Sequence, residues 1–306
     1  MKVLVATQKP FAKAAIDGIR QELEGVDYEL ILLEKYSDKQ QLLDAVADVD
    51  ALIVRSDVID KEVIQAGENL KIIVRAGAGC DNIDLKAATE ADVCVMNTPG
   101  QNANAVAELV FGMLVMGVRN FYSGSSGFEL KGKRLGIHAY GNVGKNVARI
   151  ARGFGMELLA YDTYCRAEVI NADGIDPTIS VKTLYQHSDI VSVHIPLTKE
   201  TRGLIGKSIL KNLREGAMLI NTARKEVINE PELLQYMIEN PKFKYMTDIK
   251  PDIHDQFMEK VPNQYFTTPK KMGSQTVEAN VNAGIAAAHQ IVDYLKNGNQ
   301  KYRVND

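Results

Sequence analysis

Along most of the chain, short apolar runs alternate with stretches in which apolar residues recur every three or four positions. Continuous runs read as strands buried on both faces and the 3.6-residue period as amphipathic helices, so the alternation predicts βαβ units and parallel sheets in an α/β protein. In the first hundred residues, Val3–Ala6, Leu30–Leu33, Ala51–Val54, Lys71–Val74 and Val93–Met96 predict one small sheet. Between Pro10 and Gly25, which open and stop helices, Phe11, Ala15, Ile16, Ile19 and Leu23 keep helical spacing and predict a helix covering the first strand. Asn97-Thr98-Pro99-Gly100 is strong turn chemistry and marks a domain boundary, after which a helical pattern runs from about Asn102 into the apolar run Leu109–Val118. Ser123–Gly127 reads as a surface loop. A second α/β series then follows through Arg134–His138, Glu157–Tyr161, Ile190–His194, Ala217–Asn221 and Tyr245–Thr247. A last helix from Ser274 to Gly298 carries Val277, Val281, Ile285, Ala288, Val292 and Leu295 on one side.

A length of 306 residues exceeds what one hydrophobic core usually holds, so two domains are expected. Apolar residues at 45%, charged residues at 25%, and 23 glycines against 9 prolines exclude collagenous and wholly disordered chains. A net charge of -3 gives no overall attraction for nucleic acid or an anionic membrane, so the expected partner is a small molecule. Leu109–Val118 is too short for the ~18 to 20 apolar residues that span a bilayer. The start, Met1–Val5, lacks a signal-peptide pattern, so a cytoplasmic protein is expected. Cys80, Cys94 and Cys165 lack metal-knuckle spacing and are expected to be buried, reduced thiols, with no metal site.

The sharpest local feature is Leu135-Gly136-Ile137-His138-Ala139-Tyr140-Gly141-Asn142-Val143-Gly144, a strand entering a glycine turn and then a helix. A helix N-terminus offers unpaired N–H groups and a positive partial charge, which makes Tyr140, Gly141, Asn142 and Val143 candidates for holding a pyrophosphate. Asp162 follows Gly141 by 21 residues, where an acidic side chain would meet ribose hydroxyls and favour NAD over NADP. The first glycine of the usual G-x-G-x-x-G is Ala139 here, tolerable at a turn if its φ stays negative.

With Leu52–Ser56, Val74–Asp84, Ala105–Glu108, Val193–Thr198, Ile220–Arg224 and Thr268-Pro269 added in order, the sequence resembles the D-2-hydroxyacid dehydrogenases nearly end to end, most closely the short phosphoglycerate dehydrogenases. The resemblance implies two doubly wound parallel-sheet domains around a cleft. One is a flavodoxin-like substrate domain of residues 1–98 plus 274–306; the other is a Rossmann nucleotide domain of residues 99–273. Two chain crossings would form a hinge whose closure excludes water.

The implied reaction is NAD-dependent hydride transfer between 3-phospho-D-glycerate and 3-phosphohydroxypyruvate in serine biosynthesis. Arg224 matches the family arginine, and its planar, permanently charged fork suits a carboxylate. The family's catalytic histidine after Thr-Pro is absent, and the alignment puts Lys270 in that position, with Lys271 beside it. A lysine base must lose its proton near neutrality, against a reference pKa near 10.4, which burial, Lys271 and a cationic nicotinamide would favour. In the reducing direction its ammonium already serves as proton donor. Asp252 would replace the usual supporting glutamate. Asp248 and Gly273 would lie toward the nicotinamide, His194 and Pro196 would flank the adenosine, and Thr222 and Ala223 would contribute backbone.

For the substrate, Gly77, Ala78 and Gly79 form a small-residue stretch whose N–H groups can receive a carboxylate. Arg55 and Arg75 end neighbouring strands and could hold a second anion such as a phosphate, whereas Lys9 reads more simply as a capping residue. Two rival readings are a dehydrogenase or glyoxylate reductase acting on an unphosphorylated acid, and an NAD-sensing corepressor-like binding protein. The resemblance also implies a homodimer. Because the chain stops at Asp306, inhibition by serine through a C-terminal regulatory domain is not expected.

Overall fold

A computed structural model describes residues 1–306, which divide into two compact units, Met1–Asn102 with Gln275–Asp306, and Ala103–Ser274. In the first unit, β1 (Lys2–Thr7), β2 (Glu29–Glu34), β3 (Ala51–Val54), β4 (Ile72–Arg75) and β5 (Cys94–Asn97) form one parallel sheet in the order β2-β1-β3-β4-β5. Val3, Leu4, Val5, Leu52, Ile53 and Ile73 are fully buried, as expected where helices cover both faces. Chain order reverses between β1 and β3, and at such a switch point the loops leaving adjacent strands diverge and open a crevice at the carboxyl ends.

The helix Val277–Asn297 packs on the helix Lys13–Glu24. A Cβ at Gly18 would come within 2.5 Å of Ile285, and one at Gly284 within 3.3 Å of both Ile19 and Phe11, so two glycines set this close approach. Small residues therefore define the buried stripe: Ala279, Ala283, Ala287, Ala288 and Ile291 are covered. Of the side that the spacing marks out, Ala288 is buried and Val277 is 63% exposed. The chain end covers the edge of β5, where Asn305 accepts from Val95 N at 2.8 Å and donates to Val93 O at 2.9 Å.

The second unit holds β6 (Arg134–His138), β7 (Glu157–Tyr161), β8 (Asp176–Pro177), β9 (Ile190–Val193), β10 (Met218–Asn221), β11 (Lys244–Thr247) and β12 (Tyr265–Thr267). They pair in parallel in the order β12-β11-β10-β9-β6-β7-β8, so the switch point lies between β6 and β9. The apolar pattern did not anticipate β8 and β12, edge strands too short to show a period. The helix Ala103–Val118 is buried along most of its length, and no helix is long and apolar enough to cross a membrane. Of the three thiols expected to be buried, only Cys94 is; Cys80 and Cys165 are partly exposed, and all three are free.

Candidate active site

At the switch point of the second unit, β6 runs into Ala139, whose φ is +82°. The expectation of a negative φ fails here. Ala139 N still bonds Tyr161 O at 2.8 Å, while a Cβ on Gly144 would lie 2.4 Å from Ala139 O, so the chain must leave the strand and start the helix within one cramped turn. That geometry favours glycine, and alanine adopts it under strain.

The helix Asn142–Gly153 begins beyond Gly141, and its first bond runs from Lys145 N to Gly141 O at 2.9 Å. The preceding N–H groups of Asn142, Val143 and Gly144 are left to an outside acceptor. A Cβ at Gly141 would meet nothing within 4 Å, so the approach to them is open.

Asp162, at the end of β7, accepts from Tyr140 N at 2.7 Å, Tyr164 N at 2.7 Å and Cys165 N at 2.8 Å. These three donors hold the carboxylate beside the turn. Tyr140 corrects its own assignment as a cofactor contact: its N–H is engaged by Asp162, and its hydroxyl donates to Asp173 at 2.9 Å. The side chain is buried, and it is the backbone N–H that orients Asp162.

Under the turn lie two imidazoles. His138 Nδ1 is 3.3 Å from the Tyr185 hydroxyl, and burial pushes this histidine down to about 4. The partly buried His194 contacts Ser192 Oγ at 2.8 Å and Thr222 Oγ1 at 3.4 Å; burial, then His138, push it down to about 3. Both are neutral near pH 7 and act as hydrogen-bonding surfaces rather than cations. Pro196 is exposed two residues beyond.

At the end of β10, the buried Asn221 donates to Arg224 O at 2.9 Å and accepts from Ala223 N at 2.9 Å. It closes the turn Asn221-Thr222-Ala223-Arg224, from which the Arg224 Nη1 donates to Ala223 O at 2.9 Å. Asn221 was not among the expected residues, although asparagine at a strand end is a recognisable turn former.

At the end of β11, Asp248 is only 1% exposed and accepts from Thr268 Oγ1, Met272 N and Gly273 N. Lys270 and Lys271 are exposed on the segment between those contacts, so of the three influences named for Lys270 burial is absent, and Lys271 and the cationic nicotinamide remain. Asp252 is corrected as well: its side chain is 72% exposed and pairs with Lys225, which leaves it no part in holding Lys270.

In the first unit, Arg55 leaves β3 and donates to Lys9 O and Pro10 O, both at 3.1 Å, and to Asn280 Oδ1, with its guanidinium 5.0 Å from the Phe11 ring centroid. Arg75 Nε donates to Arg55 O at 2.9 Å. A Cβ on Gly77 would fall 1.9 Å from Arg75 Nη1, so the missing side chain makes room for the guanidinium. Gly77 N bonds Arg75 O at 2.8 Å, which removes it from the proposed carboxylate nest and leaves Ala78 and Gly79. Asp57, unnoticed in the sequence, is buried and accepts from Gln8 N at 2.7 Å and Tyr36 Oη at 2.9 Å, tying together the loops after β1, β2 and β3.

Residues 112–268 match the family described as "D-isomer specific 2-hydroxyacid dehydrogenase, NAD binding domain". The crystal structure of NAD+-bound 3-phosphoglycerate dehydrogenase from Entamoeba histolytica is similar to the whole chain, with a TM-score of 0.89, 45% identity and 99% of that chain covered. Among curated proteins, D-3-phosphoglycerate dehydrogenase of Archaeoglobus fulgidus is 34% identical over 97% of this chain and 58% of its own length. Hydroxypyruvate reductase of Thermotoga maritima is 32% identical over 87% of this chain and 92% of its own length. The chain thus spans little more than half of one of these curated relatives and most of the other.

Proposed function

The chain belongs to the D-isomer specific 2-hydroxyacid dehydrogenase family, and on that premise we propose that it is an NAD-dependent oxidoreductase acting on 3-phospho-D-glycerate. The observation that carries the substrate is the pair Arg55 and Arg75. One carbonyl, that of Arg55 itself, fixes the Arg75 guanidinium at the carboxyl edge of the first sheet, where two permanent cations suit a second anion on the acid.

The second unit fits a dinucleotide. The N–H groups of Asn142 and Val143, reached past the open face of Gly141, would hold the pyrophosphate, and the anchored Asp162 would accept from the ribose hydroxyls. His194 and Pro196 would flank the adenosine, Thr222 and Ala223 would supply backbone, and Asp248 and Gly273 would face the nicotinamide end. NAD, when bound, supplies the acceptor or donor of hydride. Arg224 grips the acid's carboxylate and orients the reacting carbon. Lys270 carries the proton, its ammonium donating to a carbonyl oxygen in reduction and its amine accepting the hydroxyl proton in oxidation.

The test is kcat/KM for 3-phosphoglycerate against D-lactate, and for 3-phosphohydroxypyruvate against hydroxypyruvate and glyoxylate. A preference of about 100-fold or more for the phosphorylated acid is expected from two charge-assisted contacts. No preference would remove the phosphorylated substrate. It would favour hydroxypyruvate, the reading supported by similarity over 92% of a protein named a hydroxypyruvate reductase. NAD binding without turnover of any of these acids would favour a sensor. Pairing of two copies belongs to the same proposal and is read from the mass in solution.

A further inference from the structure

We infer that Asp248 is a positioning residue whose carboxylate pins both ends of the Thr268–Gly273 loop and so sets the place of Lys270. The inference rests on the reading of Lys270 as proton carrier. Asp248 is itself held by the sheet, because its N–H continues the ladder to Asn221 O at 3.1 Å. Thr268 N does the same to Thr247 O at 3.1 Å, so the loop departs from a fixed point.

The carboxylate then reaches across the loop. Oδ1 accepts from Thr268 Oγ1 at 2.9 Å and Met272 N at 2.7 Å, and Oδ2 accepts from Gly273 N at 2.7 Å. With Thr268 held on one side and Met272 and Gly273 on the other, Pro269, Lys270 and Lys271 form the tip. Proline fixes φ at its own position, which narrows the tip further. A Cβ on Gly273 would stand 3.0 Å from Asp248 Oδ2 and 3.2 Å from Val106 Cγ2, so glycine lets the loop close down onto the carboxylate.

A carboxylate this deeply buried is tolerated because it collects charge-assisted hydrogen bonds, and here all three side-chain contacts come from one loop. An exposed lysine on an unpinned loop would spread its ammonium over many positions. Pinning limits that spread, which acts on the chemical step more than on the binding of either ligand.

Two variants separate the contacts. Thr268→Val keeps the shape of the side chain and removes one donor, whereas Asp248→Asn sets an N–H against a backbone N–H and loosens the far end. For both, trypsin cleavage after Lys270 or Lys271 is expected to quicken and kcat to fall about tenfold or more; in Thr268→Val, which leaves the Asp248 carboxylate in place, KM for NAD stays within about twofold of the parent, and Thr268→Ser restores the readouts. Since Asp248→Asn could also weaken folding, Thr268→Val is decisive. Unchanged cleavage in Thr268→Val overturns the clamp. Faster cleavage with unchanged kcat, in an enzyme that Lys270→Met inactivates, overturns its role in catalysis. If Lys270→Met keeps its kcat, the reading of Lys270 fails and the inference falls with it, whatever the cleavage rates.

Discussion

The carboxyl edges of the two sheets organise their loops differently: the first combines guanidinium-to-carbonyl contacts with one buried carboxylate, Asp57, and the second relies chiefly on carboxylates. In the first unit, cations answer carbonyls: Arg55 reaches Lys9 O and Pro10 O, and Arg75 reaches Arg55 O. In the second, anions answer amides, with Asp162 collecting the N–H groups of Tyr140, Tyr164 and Cys165, and Asp248 those of Met272 and Gly273. The guanidinium groups at the first edge stay cationic, with the Asp57 carboxylate also acting on Arg55, and such permanent cations suit an anionic substrate. A carboxylate fixed by amides keeps lone pairs for hydroxyl and amide donors, which suits a ribose and a carboxamide. The same architecture thus presents complementary chemistries from the same end of its strands.

Arg224 joins the two schemes, a carbonyl-answering cation on the edge otherwise built by carboxylates, just as Asp57 is an amide-answering anion on the other. Replacing it breaks the comparison most severely. Arg224→Lys keeps the charge and loses the planar fork, so kcat/KM for the hydroxy acid should fall by roughly 10² to 10³, about 3 to 4 kcal/mol of transition-state stabilisation. NAD affinity measured by calorimetry should hold. A variant with near-parental kcat/KM would show that the guanidinium fork does not grip the reacting acid.

The next test uses acid. His138, pushed down to about 4 by burial, binds its proton more weakly in the folded chain than in the unfolded one, whose imidazole titrates near 6.5. Its contribution is therefore fully present above pH 6.5 and is lost as the pH falls through about 4. The full loss is on the order of 3 kcal/mol, and His194, pushed in the same direction, adds to it. The first unit's sheet has no buried histidine. Hydrogen-exchange protection factors, corrected for the slower intrinsic exchange in acid, should therefore fall from pH 7 to pH 5 in β6 and β9 while those of β1 and β3 hold. His138→Gln should flatten the pH dependence, and equal loosening of both sheets would erase this difference between them.

Much of the framework was legible because buried parallel strands are dense and periodic: Ala51–Val54, Arg134–His138 and Glu157–Tyr161 have the bounds their apolar runs suggest. The short β8 and β12 carry too few residues for a period and depend on a neighbour already in place. Long-range side-chain contacts were the least legible. Asp248 is written as a lone acid 20 residues before Thr268, and only the parallel pairing of β11 with β12 brings them together. Asp57 meets Gln8 and Tyr36 for the same kind of reason, through pairing of β1 with β2 and β3. Asp252, carried over from the family resemblance, instead lies at the surface paired with Lys225, because a carboxylate's partner depends on neighbouring loops that the local sequence does not show.

The smallest expected effect lies where the first strand of each sheet ends. Thr7, which closes β1, remains in the ladder, while the residue after β6 is Ala139 at φ +82°. Left-handed backbone costs an alanine roughly 1 to 2 kcal/mol, and glycine escapes that cost but gives back about 0.5 to 1 kcal/mol through its more flexible unfolded chain. Ala139→Gly should therefore stabilise the protein by up to about 1 kcal/mol and raise Tm by about 2 °C or less in a chain of this size. Because Ala139 O packs against Gly144 at the start of the helix, removing the strain should leave the N–H groups of Asn142 and Val143 in place, with NAD affinity equal to or better than the parent's. A fall in Tm would mean that the methyl group contributes packing worth more than the backbone strain it imposes, and the turn would then be matched to alanine rather than merely tolerant of it.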